Sequence, residues 1–283
     1  MPILTLDIGN TQIKWGVYHH DQLILLERFA THPDQHEHAR LKQFIQGFER
    51  HPNLRAVAVS SVVPSATADL KEAMASLGLS IPLLEAHPAQ LQSNIQLPHY
   101  PVDQLGPDRW VNAVGALARF PEQSCLIIDF GTATTLDVVL LTENENENRQ
   151  TGVFQGGIIT PGLSTFSGIL TQKTALLPPI PQVLPSYILG RNTLECLQSG
   201  IYLGYLNLIS GLIQQIQERH QLNHQKKLMT LGTGGLSELY QHLCHSSEGR
   251  FPKLDQLCPE LTLLGLKQLV AQNLNAHPAS TRS

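Results

Sequence analysis

The apolar positions of this chain fall into short runs that are separated by polar, proline-rich or glycine-rich stretches. Runs rich in Ile, Leu and Val predict strands. In the first half these runs are 3–7, 13–19, 22–29, 56–63 and 80–85. The first three lie close together and predict a meander of consecutive strands. A polar, helical pattern predicts a helix over 35–50, and Pro64 suits the first turn of a second helix that ends near residue 77.

A third helix is predicted from Gly106, with Pro107 in its first turn and an apolar face that includes Trp110 and Val114. The predicted strands of the second half are 125–129, 134–141, 152–159 and 228–231. Helices are predicted over 192–219 and after Gly235, whereas 86–105 lacks a clear period and predicts a loop region.

Both halves follow the same order of strand meander, helix, strand and helix. This order is typical of α/β proteins in which helices flank mixed sheets. We therefore expect two similar halves, 1–118 and 119–283, with a ligand cleft between them.

Composition narrows the class of protein. With 283 residues, 42% hydrophobic and 15% charged, the chain resembles an ordinary globular protein of one large or two smaller domains. A net charge of −4 disfavours an extended nucleic-acid surface, which normally requires a basic face. No uninterrupted apolar run approaches about 20 residues, and the N-terminus lacks a signal-peptide pattern. The four widely spaced cysteines form neither a zinc motif nor a disulfide framework, so we expect a cytoplasmic protein with reduced thiols. From the net charge and the length of the apolar runs we expect no nucleic-acid or membrane partner.

One short motif occurs twice. The segment from Leu6 to Thr11 reads LDIGNT, and the segment from Ile128 to Ala133 reads IDFGTA. Each follows an apolar run and predicts a tight Asp-x-Gly turn at the end of a strand. The glycine lets the backbone approach a ligand, the neighbouring Thr or Asn offers donors, and the Asp can hold a metal. The repetition suggests that two similar halves face one phosphate-bearing ligand.

The first turn and the following strand form a candidate phosphate loop. Its residues are Asp7, Ile8, Gly9, Asn10, Thr11, Gln12, Ile13 and Lys14. Backbone amides near Gly9 can form an anion nest, and Lys14 can reach a phosphate as a point charge. No Walker A motif is present. The alternative is a hairpin turn capped by Asp7, but the second copy favours the functional interpretation.

Threonines follow the second turn. Thr132, directly after the glycine, is the better candidate for a phosphate contact, because Thr134 and Thr135 also suit a strand for their β-branched shape alone. A third glycine-rich segment, 231–235, lies between a predicted strand and helix and fits an adenosine contact. The glycine-rich segment 156–162 is also predicted to approach the cleft.

The helix start Gly106-Pro107-Asp108-Arg109 places an acid beside a base. Asp108 complements the helix dipole, which is a sufficient structural explanation of that residue alone. A cation at the same position is unfavourable, so Arg109 is harder to explain structurally. Together the pair suits an anionic substrate, with Arg109 binding a carboxylate and Asp108 accepting a hydroxyl proton. At the start of a later helix Asn192 is a cap candidate, and Thr193 either faces the cleft or shares the cap.

These motifs, in this order, closely resemble those of type III pantothenate kinases, members of the acetate and sugar kinase/Hsp70/actin superfamily. The motifs are Asp7–Lys14, Gly106–Arg109, Asp129–Thr134, Gly156–Gly162 and Gly190–Thr193. The resemblance runs from residue 3 to about 240.

The resemblance implies a fold of two ribonuclease H-like (actin-like ATPase) halves and a homodimer that binds pantothenate near its interface. It implies ATP-dependent phosphorylation of pantothenate to 4′-phosphopantothenate, the first step of coenzyme A synthesis, with Mg²⁺ and a monovalent cation, K⁺ or NH₄⁺. By resemblance the Asp7–Lys14 loop and Thr132 contact ATP, and Asp129 binds the monovalent cation. Gly106–Arg109 and Thr193 contact pantothenate, and Asp108 is the general base.

One position departs from the family pattern. The family usually has a Tyr seven residues before the glycine of Gly-x-Asp-Arg, but His99 occupies that place and Tyr100 follows it. A one-residue deletion in the loop would make Tyr100 the substrate contact, and we carry Tyr100 over on that basis.

Two other functions are compatible with the superfamily. The first is a kinase or phosphatase of another substrate, such as a sugar kinase or an exopolyphosphatase, although Arg109 disfavours a neutral sugar. The second is a binding or regulatory protein on the same scaffold. The presence of Asp7, Asp108 and Asp129 favours an active enzyme over this second alternative.

Overall fold

The computed structural model describes residues 2–32, 39–142, 151–172, 182–185, 187–224 and 227–274. The strands are β1 (Ile3–Ile8), β2 (Gln12–His19), β3 (Gln22–Ala30), β4 (Ala56–Ser61), β5 (Leu83–Glu85), β6 (Ile95–Gln96), β7 (Cys125–Phe130), β8 (Ala133–Thr142), β9 (Thr151–Pro161), β10 (Met229–Thr233) and β11 (Gln256–Leu257). The helices are α1 (Ala39–Arg50), α2 (Pro64–Ser76), α3 (Pro107–Arg119), α4 (Leu163–Gln172), α5 (Thr193–Gln198), α6 (Gly204–His224), α7 (Ser237–Ser246) and α8 (Leu261–Leu274). A π-helical turn, Ser199–Leu203, joins α5 to α6.

The first sheet has the strand order β3-β2-β1-β4-β5. The predicted meander is confirmed, because β1, β2 and β3 pair in antiparallel fashion. Strands β4 and β5 add in parallel. The predicted helix over 35–50 is observed from Ala39, and residues 35–38 lie outside the described residues.

The second sheet has the order β11-β10-β7-β8-β9-β6. It repeats the plan of the first sheet around its central strand, since β7 pairs antiparallel with β8 and parallel with β10. The region 86–105, predicted to be a loop, contributes the two-residue strand β6 and a short 3-10 turn at Val102–Gln104. Helices α4 and α8 and strand β11 were not among the predicted elements. The α/β class with mixed sheets flanked by helices is confirmed.

The chain divides into two compact units. The first unit comprises Met1–Glu122, Leu141–Phe154 and Glu260–Ser283, and the second comprises Gln123–Leu140 and Gln155–Pro259. Helix α8 therefore belongs to the first unit although it ends the described chain. The predicted boundary between residues 118 and 119 concerns the repeated topology and stays a prediction.

The two faces of the first sheet differ in side-chain size. One face carries large apolar residues of β1 and β4, such as Leu6 and Val59, which pack with Phe44 and Leu70 from α1 and α2. On the opposite face α8 packs on β1 and β4, and α3 contacts β4. This second face has small residues, including Gly16, where an added Cβ would lie 2.8 Å from Leu263 of α8. Because side chains alternate along a strand, Thr5 and Asp7 of β1 and Ser60 of β4 share this second face.

The core of the second unit forms between its sheet and α6. It includes Leu126 and Ile128 of β7 together with Leu206 and Ile209 of α6, all fully buried. Among the described residues, one helical stretch, Thr193–Leu222, is long and apolar enough by length and composition to cross a membrane. That is weak evidence, because a core helix of a globular protein passes the same test, and this stretch supplies much of the unit's core.

Candidate active site

The first Asp-x-Gly turn is a tight hairpin that is held from one side. The Gly9 amide donates to the Gln12 carbonyl at 3.1 Å. Thr31, the residue after β3, holds this turn in place. Its Oγ1 donates to the Gly9 carbonyl at 2.6 Å, and its amide donates to the Thr11 carbonyl at 3.1 Å. A Cβ on Gly9 would lie 3.3 Å from the Gln12 carbonyl oxygen, a tight contact that a side chain could make only if the carbonyl shifted slightly.

Asp7 and Lys14 face each other across the hairpin. They are paired in register between β1 and β2, and Lys14 Nζ lies 3.8 Å from Asp7 Oδ2. Burial raises the pKa of Asp7 from 3.8 to about 6, with the Lys14 charge lowering it and the Asp108 charge raising it. The charge of Asp108 therefore acts on Asp7, and both residues belong to the first unit.

Asp108 lies in the first turn of α3, after the N-cap residue Gly106. Its Oδ1 accepts a hydrogen bond from the Arg109 amide at 2.9 Å. A Cβ on Gly106 would lie 2.6 Å from this same oxygen, so a larger residue there would displace the carboxylate from this position. Burial raises the pKa of Asp108, while the hydrogen bond and charge of Arg109 lower it. The net increase makes this carboxylate a stronger base than a surface aspartate.

Arg109 is enclosed by aromatic rings. The residue is 5% exposed, and its guanidinium lies 5.5 Å from the Tyr100 ring centre and 5.6 Å from that of Phe154. Arg109 Nη1 donates to the Tyr100 hydroxyl at 3.0 Å. His99 is exposed. Of the two residues that the sequence left as candidates, Tyr100 is thus the one that contacts the motif, and its role as a substrate contact stays a prediction.

Ser60 is a polar residue of this site that sequence reasoning missed. It is in register with Asp7 on the neighbouring parallel strand β4, on the same face of the sheet. Ser60 is 1% exposed, and its hydroxyl has no hydrogen-bond partner. The only signal in the sequence is that a serine ends the apolar run of β4, which is not specific enough to single it out.

The second Asp-x-Gly turn has its own supports in the second unit. The Gly131 amide donates to the Ala133 carbonyl at 3.1 Å, and Thr165 Oγ1 donates to the Thr132 carbonyl at 2.6 Å. Gly234 has a positive φ of 85°, and a Cβ there would collide with the Asp129 carboxylate and lie 2.7 Å from the Phe130 amide. The glycine-rich segment after β10 is therefore packed directly on Asp129.

The remaining predicted threonines of the second unit have different surroundings. Thr134 is fully buried and its Oγ1 lies 2.6 Å from the Tyr205 hydroxyl, which is a structural contact. Asn192 is the predicted N-cap of α5, since its Oδ1 accepts from the Glu195 amide at 3.0 Å. Thr193 is exposed at the first helical position, so it does not serve as the cap, and its contact with substrate stays a prediction.

The donor set suits a hydrated divalent cation and no all-protein metal cage. Within the described ranges, no group of three or more His, Cys, Asp or Glu side chains could hold a metal ion. Mg²⁺ in kinases commonly uses one or two carboxylates and takes its other ligands from water and substrate phosphates. Asp7, with the second carboxylate of Asp108 acting on it and the buried hydroxyl of Ser60 beside it, fits that arrangement.

Comparison with solved structures supports the fold. The activator of the 2-hydroxyisocaproyl-CoA dehydratase from Clostridium difficile, with bound ADPNP, aligns over 100% of both chains with a TM-score of 0.55 and 12% identity. A Campylobacter jejuni protein assigned to the Baf family of transcriptional activators aligns over 96% of this chain and 99% of its own, with a TM-score of 0.53 and 17% identity. At these identities the similarity shows the fold alone.

Sequence comparison shows the family. The family described as type III pantothenate kinase matches residues 3–215. A type III pantothenate kinase of Thermus thermophilus is 34% identical over 273 residues, covering 94% of this chain and 98% of the relative. That of Legionella pneumophila strain Corby is 31% identical over 276 residues, covering 96% and 99%. Because the matches span nearly the full length of both partners, the chain belongs to the type III pantothenate kinase family.

Proposed function

We propose that this kinase transfers the terminal phosphoryl group of ATP to the primary hydroxyl of pantothenate, with Asp108 as the general base. The product is 4′-phosphopantothenate, and the reaction is the first step of coenzyme A synthesis. The family assignment supports pantothenate phosphorylation. The observation that carries the residue assignment is the buried Asp108 carboxylate, which accepts a hydrogen bond from the Arg109 amide at 2.9 Å and whose charge acts on Asp7.

The proposed reaction divides the work between adjacent residues of α3. Arg109 binds the pantothenate carboxylate, since a guanidinium matches a carboxylate in shape and charge. Asp108 accepts the hydroxyl proton as the alcohol oxygen bonds to the terminal phosphorus. The bond to the bridging oxygen breaks and ADP leaves. Tyr100 holds the Arg109 guanidinium through the 3.0 Å hydrogen bond. Gly106, Pro107 and Thr193 complete the proposed substrate contacts.

The turn from Asp7 to Lys14 supplies the proposed ATP-phosphate contacts, together with Thr132. Backbone amides around Gly9 and the Lys14 ammonium group are the expected donors, because phosphoryl transfer depends mainly on positioning and charge neutralisation. Asp7 would hold Mg²⁺, which neutralises phosphate charge when bound. Asp129 would hold a monovalent cation, K⁺ or NH₄⁺.

We also propose that the enzyme is a cytoplasmic homodimer whose partners are ATP and pantothenate, without nucleic acid or membrane. Sedimentation velocity of the purified chain at several concentrations measures the oligomeric state. A single species of twice the 31.2 kDa chain mass is expected. A species of the chain mass at all concentrations would contradict the dimer.

The decisive experiment compares Asp108→Asn with Asp103→Asn. Asp103 is an exposed acid in the 3-10 turn just before α3, so it controls for the loss of one negative charge near the site. Loss of the general base should lower kcat by roughly 10²- to 10⁴-fold. Asp103→Asn should keep wild-type turnover. Pantothenate-dependent ADP release is measured, with a neutral sugar as alternative acceptor. Wild-type turnover of Asp108→Asn would exclude Asp108 as the base.

A further inference from the structure

We propose that Ser60 is a positioning residue of the active site, whose hydroxyl accepts a hydrogen bond from a water molecule of the divalent cation held by Asp7. This inference rests on the proposed function only in so far as that function places the cation at Asp7. No sequence motif and no comparison with known proteins assigns a role to this serine.

The position of Ser60 follows from strand pairing. Strands β1 and β4 are parallel, and Asp7 pairs with Ser60 at the same level of the sheet. Adjacent in-register residues point to the same face, which here is the face covered by α3 and α8. Asp108 belongs to the first turn of α3, and its charge acts on Asp7. Ser60 is therefore directed to the same side of the sheet as both carboxylates.

The hydroxyl of Ser60 is buried but has no hydrogen-bond partner. A buried hydroxyl without a hydrogen bond costs about 1–3 kcal/mol, so such groups are normally satisfied by protein, water or ligand. The adjacent Ser61 shows the contrast. Its Oγ accepts from the Val63 amide at 3.1 Å and from Thr67 Oγ1 at 2.8 Å, which ties β4 to the start of α2. Ser61 thus has a structural role, whereas the hydroxyl of Ser60 is left for a group from outside the protein.

The same arrangement recurs in the second unit. Strand β10 runs parallel to β7, and Thr233 pairs in register with Asp129. Thr233 is fully buried, and its Oγ1 also has no hydrogen-bond partner. In each unit, the strand parallel to the motif strand thus places an unpartnered hydroxyl beside the motif aspartate. This recurrence supports a role for the hydroxyl that is tied to the neighbouring aspartate and not to the packing of one particular sheet.

The oxygen atoms beside Asp7 suit a cation that keeps part of its water shell. Asp7 and Ser60 lie in register on adjacent strands, Asp108 lies in the first turn of α3, and Lys14 Nζ, 3.8 Å from Asp7 Oδ2, is the neighbouring positive charge. A divalent cation takes oxygen ligands, and its inner-shell waters are strong donors that need acceptors. A serine hydroxyl one strand away from the liganding carboxylate can accept from such a water and thereby orient the hydrated ion.

The test measures Mn²⁺ binding to the full chain in the presence of a non-hydrolysable ATP analogue, by the loss of the free-ion signal in electron paramagnetic resonance. Ser60→Ala should weaken Mn²⁺ binding by about tenfold, the usual cost of losing an outer-shell partner of a metal ligand. Ser60→Thr, which retains the hydroxyl, should bind more tightly than Ser60→Ala. The control is Thr5→Val, which removes a buried hydroxyl from the same face of the sheet. In the wild type this hydroxyl donates to the Gly16 carbonyl at 3.1 Å.

Thr5→Val should lower the urea midpoint and keep the wild-type Mn²⁺ affinity. Unchanged Mn²⁺ affinity in Ser60→Ala, or an equal loss in Thr5→Val, would overturn the inference. Because pantothenate is absent from this measurement, its outcome is separate from that of the proposed reaction. If the wild-type chain failed to phosphorylate pantothenate, the Ser60→Ala result would still decide the role of this hydroxyl.

Discussion

The guanidinium of Arg109 is held in place by two aromatic rings and by the hydroxyl of Tyr100. Two aromatic rings cover it, and the Tyr100 hydroxyl accepts one of its hydrogen bonds. The ring contacts orient the plane of the guanidinium, and the hydrogen bond fixes its rotation. A carboxylate that binds through two parallel hydrogen bonds needs the guanidinium to have both the right plane and the right rotation.

Tyr100→Phe keeps the ring and removes only this acceptor. We expect the KM for pantothenate to rise about tenfold with little change in kcat, since a hydrogen bond to a charged group contributes about 1.5–3 kcal/mol. His99→Ala, at the exposed neighbouring position, is the matched control and should behave as wild type. Steady-state kinetics with varied pantothenate measure both. A larger KM effect from His99→Ala than from Tyr100→Phe would assign the family Tyr role to His99.

The raised pKa of Asp7 makes the folding stability of the chain depend on pH. Its pKa is raised from 3.8 to about 6, chiefly by burial. Between these values the folded chain keeps a proton that the unfolded chain has lost, so this group makes folding less favourable as the pH rises through the window. Asp7→Asn removes that penalty. The variant should be more stable than wild type above pH 6, and the difference should disappear as the pH approaches 4.

Urea midpoints at pH values from about 4 to 7.5 measure this difference. Asp103→Asn, an exposed acid, should show no comparable trend. A stability difference for Asp7→Asn that stays constant with pH would contradict the assignment. The expected gain in stability at neutral pH, together with the loss of the proposed Mg²⁺ ligand, is the usual exchange between stability and function at an active site.

Most strands and helices were predicted because the spacing of apolar residues within each one is visible in the sequence. The meander β1–β3, helix α3 and the strand after it were all anticipated from spacing and turn residues. Helix α8 was not, because it is apolar on most sides and lacks the one-sided pattern of a surface helix. Its place in the first unit, against α3 and the first sheet, depends on contacts between residues far apart in sequence.

The same limit applies to the site. Asp7, Lys14 and the Gly106–Arg109 start were predicted because their significance lies in local motifs. The role proposed for Ser60 depends on its strand register with Asp7, which no local pattern encodes. Spacing alone could not separate Tyr100 from His99. The structure shows that Tyr100 packs against Phe154, at 5.5 Å between ring centres, and its role as a substrate contact stays a prediction.

Helices α3 and α8 approach closely through two glycines. A Cβ on Gly115 would lie 2.5 Å from the Leu261 carbonyl oxygen, and a Cβ on Gly265 would collide with the Val111 carbonyl. Gly115→Ala and Gly265→Ala should therefore each destabilise the chain by about 1–3 kcal/mol, the usual cost of overpacking. Because α3 also carries Asp108 and Arg109, a shift of this helix should lower activity as well.

Gly211→Ala in α6 is the matched control, because no heavy atom lies within 4 Å of its added Cβ. There the higher helix propensity of alanine should stabilise the chain by up to about 1 kcal/mol. Urea unfolding of the three variants gives the signs directly. Destabilisation by Gly211→Ala equal to that of the α3 and α8 variants would show that helix contact is not the cause.

The arrangement of the entire chain is a duplication of one plan. Each unit has a motif strand that pairs antiparallel with the next strand and parallel with a later one, and each ends its motif strand in an Asp-x-Gly turn. A duplicated motif can serve two separate ligands or one ligand that needs both copies. The proposed function assigns ATP-phosphate contacts to the turn from Asp7 to Lys14 and to Thr132, and the family assignment requires a phosphoryl donor.

We therefore expect one nucleotide whose binding depends on both motif aspartates. Binding to the folded state alone raises stability by RT ln(1 + [L]/Kd), about 2.7 kcal/mol when the ligand is at one hundred times its Kd. Asp7→Asn and Asp129→Asn should each reduce the stabilisation that a non-hydrolysable ATP analogue with Mg²⁺ gives to wild type, with Asp103→Asn unchanged. Thermal unfolding at a fixed analogue concentration measures it. Full ligand-induced stabilisation of Asp129→Asn, alongside its loss in Asp7→Asn, would mean that the first unit binds the nucleotide without the second motif. The duplication would then need an explanation other than shared phosphate binding.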